Sequence, residues 1–176
     1  MSKKYYDDMF KGGAAKELAK VLLEKSGYDV YLYGYERTLT EIKNKLRDRG
    51  TKKSRTVRKI RSSPDFLVYD EKRRDLMLVE IKMRNAPHET KIRIDAPKIA
   101  TYKEFWNDTF LVVVIPCGNV FYAQKISELE TKSMYNATTD FEKFEDVFTR
   151  VAAEDLLDYR TKAQGLWGKS ARVKNT

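Results

Sequence analysis

Residues 62–84, SSPDFLVYDEKRRDLMLVEIKMR, decide the fold of this chain. Two short apolar runs, Phe66–Tyr69 and Leu76–Lys82, flank the charged segment Glu71–Arg74. That pattern predicts an antiparallel hairpin with Glu71–Arg74 as its turn. With that turn, Tyr69 faces Leu76, Leu67 faces Leu78, and Asp65 faces Glu80. Opposed residues of antiparallel strands project from the same face. Alternation along the second strand puts Glu80 and Lys82 on that face too, while Met77, Val79, Ile81 and Met83 turn into apolar packing. A register slip of one residue destroys this convergence.

Two carboxylates this close repel each other and raise the pKa of one of them. A divalent cation between them removes the conflict, and a few hard oxygen ligands suit Mg²⁺ or Mn²⁺. Such an ion lowers the pKa of a water and polarises a phosphoryl oxygen. Lys82 beside it is placed to orient the attacking water or to stabilise a pentavalent phosphorus. The competing reading is an ion pair of Asp65 or Glu80 with Lys82 at a sheet edge.

Outward from the hairpin, residues 13–26 read as a helix, with Ala15, Leu18, Ala19, Leu22 and Leu23 at helical spacing and Gly27 as a stop. Residues 28–35 read as a Tyr-rich strand, in which Tyr28, Tyr31, Tyr33 and Tyr35 divide between core and surface. Leu39, Ile42 and Leu46 predict a short basic helix ended by Gly50, and residues 51–61, without apolar rhythm, a loop or extended arm. Residues 97–106 predict a helix with Pro97 in its first turn. Phe110–Ile115 predicts a strand buried on both faces. Residues 120–123 suggest an edge strand, 127–135 a short helix, 136–150 an uncertain polar stretch, and 152–163 a last helix. A helix between two buried strands implies a crossover, and hence an α/β fold with a mixed central β-sheet flanked by helices.

The chain has 176 residues and a formal net charge of +9, which suits one domain, residues 1–176, with a very charged surface. Ten cations and only two anions, Glu41 and Asp48, occupy residues 41–61. Such a block repels itself unless an anion lies against it, and nucleic-acid phosphate is the expected partner. The candidate contacts are Lys52, Lys53, Arg55, Arg58, Lys59 and Arg61. A single cysteine, Cys117, permits no internal disulfide and no Cys-based zinc cluster, and a single histidine, His88, permits no His-based centre. The longest apolar run, 110–116, is too short for a bilayer, so the expectation is a soluble cytoplasmic protein.

Pro64-Asp65, fourteen residues, then Glu80-Ile81-Lys82 resembles the signature of the PD-(D/E)XK nuclease superfamily, the restriction-endonuclease-like fold. Gly13-Ala14-Ala15-Lys16-Glu17, followed by Leu18, Leu22, Leu23 and Gly27-Tyr28, is similar to the first helix of archaeal Holliday-junction resolvases and their relatives. A third element matches in part: Lys98 and Tyr102 have the spacing of a Gln/Tyr pair found on the following helix in many members, with Lys in place of Gln.

The resemblance covers about residues 11–125 and implies an αβββαβ core, with a basic helical insertion at 36–61 and a C-terminal helical extension at 126–176. It implies a Mg²⁺- or Mn²⁺-dependent endonuclease acting on duplex or branched DNA, as a symmetric homodimer. Asp65, Glu80, the Ile81 carbonyl and Glu17 would hold the metal, Lys82 would serve the water, and Lys98 would touch a phosphate. A DNA-binding module that keeps the fold but does not cut, and an RNA-binding accessory protein, are the alternatives.

Overall fold

The turn at Glu71–Arg74 closes a hairpin between β2, Phe66–Asp70, and β3, Asp75–Met83. Asp70 shapes the turn by accepting the N–H groups of Lys72 and Arg73 at 3.0 and 3.3 Å, and Arg74 takes the left-handed backbone (φ 53°) that the reversal requires. The ladder pairs Tyr69 with Leu76, Leu67 with Leu78 and Phe66 with Val79, the register read from the sequence.

The computed structural model describes residues 3–35, 39, 41, 43–47, 54–84, 91–115 and 120–167, and of these the side chains of all but 3–10, 43, 47, 166 and 167. Lys52, Lys53, His88 and Cys117 lie outside the described residues.

Around the hairpin the order is α1, Lys3–Lys25; β1, Asp29–Leu32; α2, Lys43–Arg47; and α3, Arg55–Arg61, before it. After it come β4, Lys91–Arg93; α4, Ala96–Phe105; β5, Phe110–Ile115; β6, Val120–Lys125; β7, Met134–Asn136; β8, Glu142–Lys143; α5, Phe144–Val147; and α6, Ala153–Trp167. The main sheet has six strands in the order β1-β2-β3-β5-β6-β8, and β4 pairs with β7 in a second sheet. Among the described strands only β3 and β5 run parallel, joined across α4, so the protein is α/β with a mixed central sheet flanked by helices. No helix among the described residues is long and apolar enough to cross a membrane.

Each face of the sheet has its own core. On one, Val79, Ile81, Val112 and Val114 pack against Ala15, Ala19, Leu22 and Leu23 of α1 and Leu156, Tyr159 and Ala163 of α6, with Met77 and Met83 at the margin. On the other, Leu111, Val113 and Ile115 meet Ile99 and Tyr102 of α4 and Tyr135 of the small sheet.

Three local expectations are corrected. Residues 55–61, read as a loop or arm, form a helix with no buried residue. It is fixed from outside: Arg55 and Arg58 lie over the Phe105 ring at 5.2 and 5.4 Å, Arg58 bonds Glu104 at 2.7 Å, and the hydroxyls of Ser62 and Ser63 donate to its last carbonyls. β6 is not an edge strand, because β8 pairs with it through Tyr122 and Ala123. The stretch 136–150, read as mostly polar, supplies Phe144 and Phe148, both fully buried, with their rings 4.5 Å apart.

Candidate active site

β2 stops pairing with β3 at Phe66–Val79, one residue short of the acids. Past that point Asp65 takes the next place on the edge: its Oδ2 accepts the Ile81 N–H at 3.0 Å. In a strand a residue's N–H and C=O point to the same edge, so the Ile81 carbonyl also faces the side where Asp65 lies. Glu80 and Lys82 project from the face opposite Ile81 and are joined to each other by a short ion pair. Asp65 and Glu80 thus lie at the same end of the sheet.

Asp65, Glu80 and Lys82 open into a cleft of about 490 Å³. Its walls come from α1 (Gly12, Gly13, Lys16), the stretch after β1 (Gly34, Tyr35), the end of α3 (Arg61, Ser62, Ser63) and α4 (Lys98, Thr101, Tyr102). Lys98, Thr101 and Tyr102 are three and four residues apart, so they share one helix face. Four cations, Lys16, Arg61, Lys82 and Lys98, and two carboxylates, Asp65 and Glu80, line the space. Among the described residues no carboxylate pairs with Arg61 or Lys98.

Glu80 is 3 % exposed, and burial pushes its carboxyl above the usual range. Lys82 and a hydrogen bond from Tyr102 oppose that rise, while the Asp65 charge adds to it. Burial and the neighbouring Glu80 hold the Tyr102 hydroxyl protonated well beyond the ordinary tyrosine range. Lys16 Nζ lies 2.5 Å from Asp65 Oδ1. Each acid thus carries a lysine, and the ion-pair reading of Glu80 with Lys82 is also realised.

The donor set suits a hard divalent ion. It offers two carboxylates that line the cleft and, on the strand edge beside Asp65, the Ile81 carbonyl, the sparse protein ligation that Mg²⁺ accepts. Among the described residues no group of three or more His, Cys, Asp or Glu side chains could hold a metal.

No protein-family model matches this chain, and no curated protein matches it significantly.

Placement of the other sequence candidates is uneven. Glu17 is exposed and does not line the cleft. At 100° per residue it lies about 180° from the stripe centred on Ala15 and Ala19, whereas Lys16 lies about 80° from it. Helical arithmetic was the signal that favours Lys16 over Glu17. Lys98 is exposed at the cleft wall, as a phosphate contact needs. Tyr102 is packed in the second core and lines the cleft beside Glu80. Of the basic insertion, Arg61 reaches the cleft, while Arg55 and Arg58 share Glu104 on the outer side of α4. Lys59 lies 5.4 Å over the Trp106 ring.

Proposed function

We propose that this protein is a divalent-metal-dependent endonuclease of the PD-(D/E)XK, restriction-endonuclease-like type, hydrolysing phosphodiester bonds in DNA. One observation carries the reading. Asp65, Glu80 and Lys82 line a single cleft at the point where β2 leaves the edge of β3, and Asp65 also accepts the Ile81 N–H there. A surface ion pair has no need of a recessed second carboxylate, whose repulsion adds to the cost of burying Glu80.

In this reading Asp65 and Glu80, with the Ile81 carbonyl, hold one Mg²⁺ or Mn²⁺. When bound, the ion supplies Lewis acidity toward a phosphoryl oxygen. Tyr102, beside Glu80 in the cleft, presents a protonated hydroxyl to that carboxylate. Lys82 orients the attacking water and stabilises the extra negative charge on phosphorus. Lys16, Arg61 and Lys98 receive the phosphates on either side. Glu17, on the far face of α1, has no part.

One observation favours the second reading, a binding module that does not cut. Lys16 on Asp65 and Lys82 on Glu80 neutralise both acids within the chain. The two readings separate on a panel of supercoiled plasmid, four-way junction, single-stranded DNA and RNA with Mg²⁺, Mn²⁺ or EDTA. Cutting that requires metal and is abolished in Asp65→Ala and Glu80→Ala supports the nuclease. Binding without cutting under every condition refutes it.

A further inference from the structure

The sheet face that bears the acids continues outward into a strip of exposed rings. Tyr31 pairs with Leu67, and Leu67 with Leu78. The Tyr33 N–H donates to the Asp65 carbonyl at 3.0 Å, which extends the same register by one pair. Residues opposed across a ladder, and alternate residues along a strand, share a face. Tyr33 and Asp65 therefore share a face with Glu80, one position beyond the end of the β2–β3 ladder, and Tyr31, Leu67 and Leu78 form the paired row behind. At a strand spacing of about 4.8 Å, Tyr33 stands one strand from Asp65 and two from Glu80.

Tyr31 is 56 % exposed and Tyr33 37 %, whereas Tyr28 and Tyr35 are buried. The neighbours of Tyr33 on both sides, Leu32 and Gly34, line the cleft. Tyr33 is steadied edge-to-face by Trp106, with ring centres 5.9 Å apart at 86°. Trp106 is itself pinned, its Nε1–H donating to the Ser62 hydroxyl at 3.1 Å and the Lys59 carbonyl at 3.2 Å. The platform is thus rigid at one end and bordered by the cations of α3.

We propose that Tyr31 and Tyr33 are a stacking platform for unpaired bases, so that the strand entering the cleft is single-stranded DNA beside the reacting phosphate. The inference rests on the nuclease reading for the identity of the cleft. Bases in an intact duplex hide their faces in the stack and offer such rings nothing to cover, whereas a single strand presents a π-face at every nucleotide. The two tyrosines lie about 6–7 Å apart along the extended stretch that runs on from β1, which leaves each ring its own base. The adjoining α3 supplies Arg55, Arg58 and Lys59 for the backbone of that strand. An aromatic row on a sheet, edged by cations, is a form that single-strand readers use.

The test uses the full chain in EDTA, so that binding is read apart from cutting. Labelled oligothymidylate and a blunt duplex of equal length are titrated by fluorescence anisotropy. Tyr31→Ala with Tyr33→Ala is expected to weaken single-strand binding about tenfold or more and duplex binding by less than about twofold. Tyr31→Phe with Tyr33→Phe, which keeps both rings, is expected to retain wild-type affinity for the single strand. The proposal is overturned if the alanine pair binds the single strand unchanged, if both ligands weaken equally, or if the phenylalanine pair fails like the alanine pair. Cleavage of the same DNAs in Mg²⁺ reads the other question. A protein that never cuts but loses single-strand binding with its rings keeps the platform and loses the nuclease. One that cuts while the alanine pair binds normally does the reverse.

Discussion

Replacing Glu80 by Gln should make the fold more stable at neutral and alkaline pH. Glu80 is 3 % exposed, and the net of burial, Lys82, Asp65 and Tyr102 raises its carboxyl above 4.5. The folded protein therefore holds that proton more tightly than the unfolded chain does. Stability from this group is complete below about pH 4.5 and is lost as pH rises through the folded pKa. Gln has the shape of the protonated acid and carries no charge to bury. Its gain over the wild type is thus absent in acid, grows as pH rises through that pKa, and then levels off. Lys82 loses its partner but keeps 23 % of its side chain in solvent, so it can rehydrate. Relief of a destabilised functional position commonly yields about 0.5–2 kcal/mol. In a chain of 176 residues each kcal/mol shifts Tm by about 2–4 °C. Thermal melts of both proteins followed by circular dichroism between pH 4 and 9 check this. A variant less stable than wild type at pH 8, or a difference that stays flat with pH, would show that the Lys82 pair outweighs burial and would refute the reasoning.

Further outcomes follow from other contacts. Lys16→Met removes the ammonium 2.5 Å from Asp65, so Mn²⁺ affinity by calorimetry should rise, by about tenfold if the lost competition is worth about 1.4 kcal/mol; an unchanged affinity would mean that the lysine does not compete for the carboxylate. Neutralising Arg55, Arg58 and Lys59 together should weaken DNA binding to a similar degree across sequences. It should also reduce the magnitude of the log K against log salt slope by about 1–3. An unaltered slope places the contact surface elsewhere. Phe148→Ala, in a fully buried ring stacked on Phe144, should cost about 3–5 kcal/mol in denaturant unfolding. A loss below about 1 kcal/mol would mean that this part of the chain folds apart from the main core.

Legibility varied with how local the governing force was. The hairpin register was readable because Met77, Val79, Ile81 and Met83 alternate with Leu78, Glu80 and Lys82, and a four-residue charged turn leaves one way to pair them. β5 was readable because a run of six apolar residues buried on both faces has no periodicity to confuse. The helix α3 was not, since its only apolar residues, Val57 and Ile60, are too few to make a stripe among four cations. Its support comes from Glu104, Phe105 and Trp106, more than forty positions away. Phe144 and Phe148 sit four apart among acids and polar residues, too short a stretch for helical rhythm to stand out. At the site, the acids and Lys82 were legible from the strand pattern alone. Lys16 was legible too, from the Ala15–Ala19 stripe that turns Glu17 away from the buried side of α1, but the resemblance drew the reading to Glu17 instead.

The same alternation that builds the core also delivers the chemistry. Val79 and Ile81 are buried between the sheet and α1, so their burial fixes which way β3 faces. A slip by one residue would drive Glu80 and Lys82 into that apolar layer and expose Val79 and Ile81. Burying a charge there without a partner costs several kcal/mol, against about 1.5–3 kcal/mol gained for each aliphatic side chain in the correct register. Both terms penalise the slipped arrangement. Hydrophobic burial on one face of β3 thereby positions the carboxylate and the lysine on the other, beside an Asp65 that the end of the β2 ladder has already turned toward the Ile81 amide. Substitutions that loosen the Val79–Ile81 packing should for this reason impair the site while leaving every polar residue in it intact.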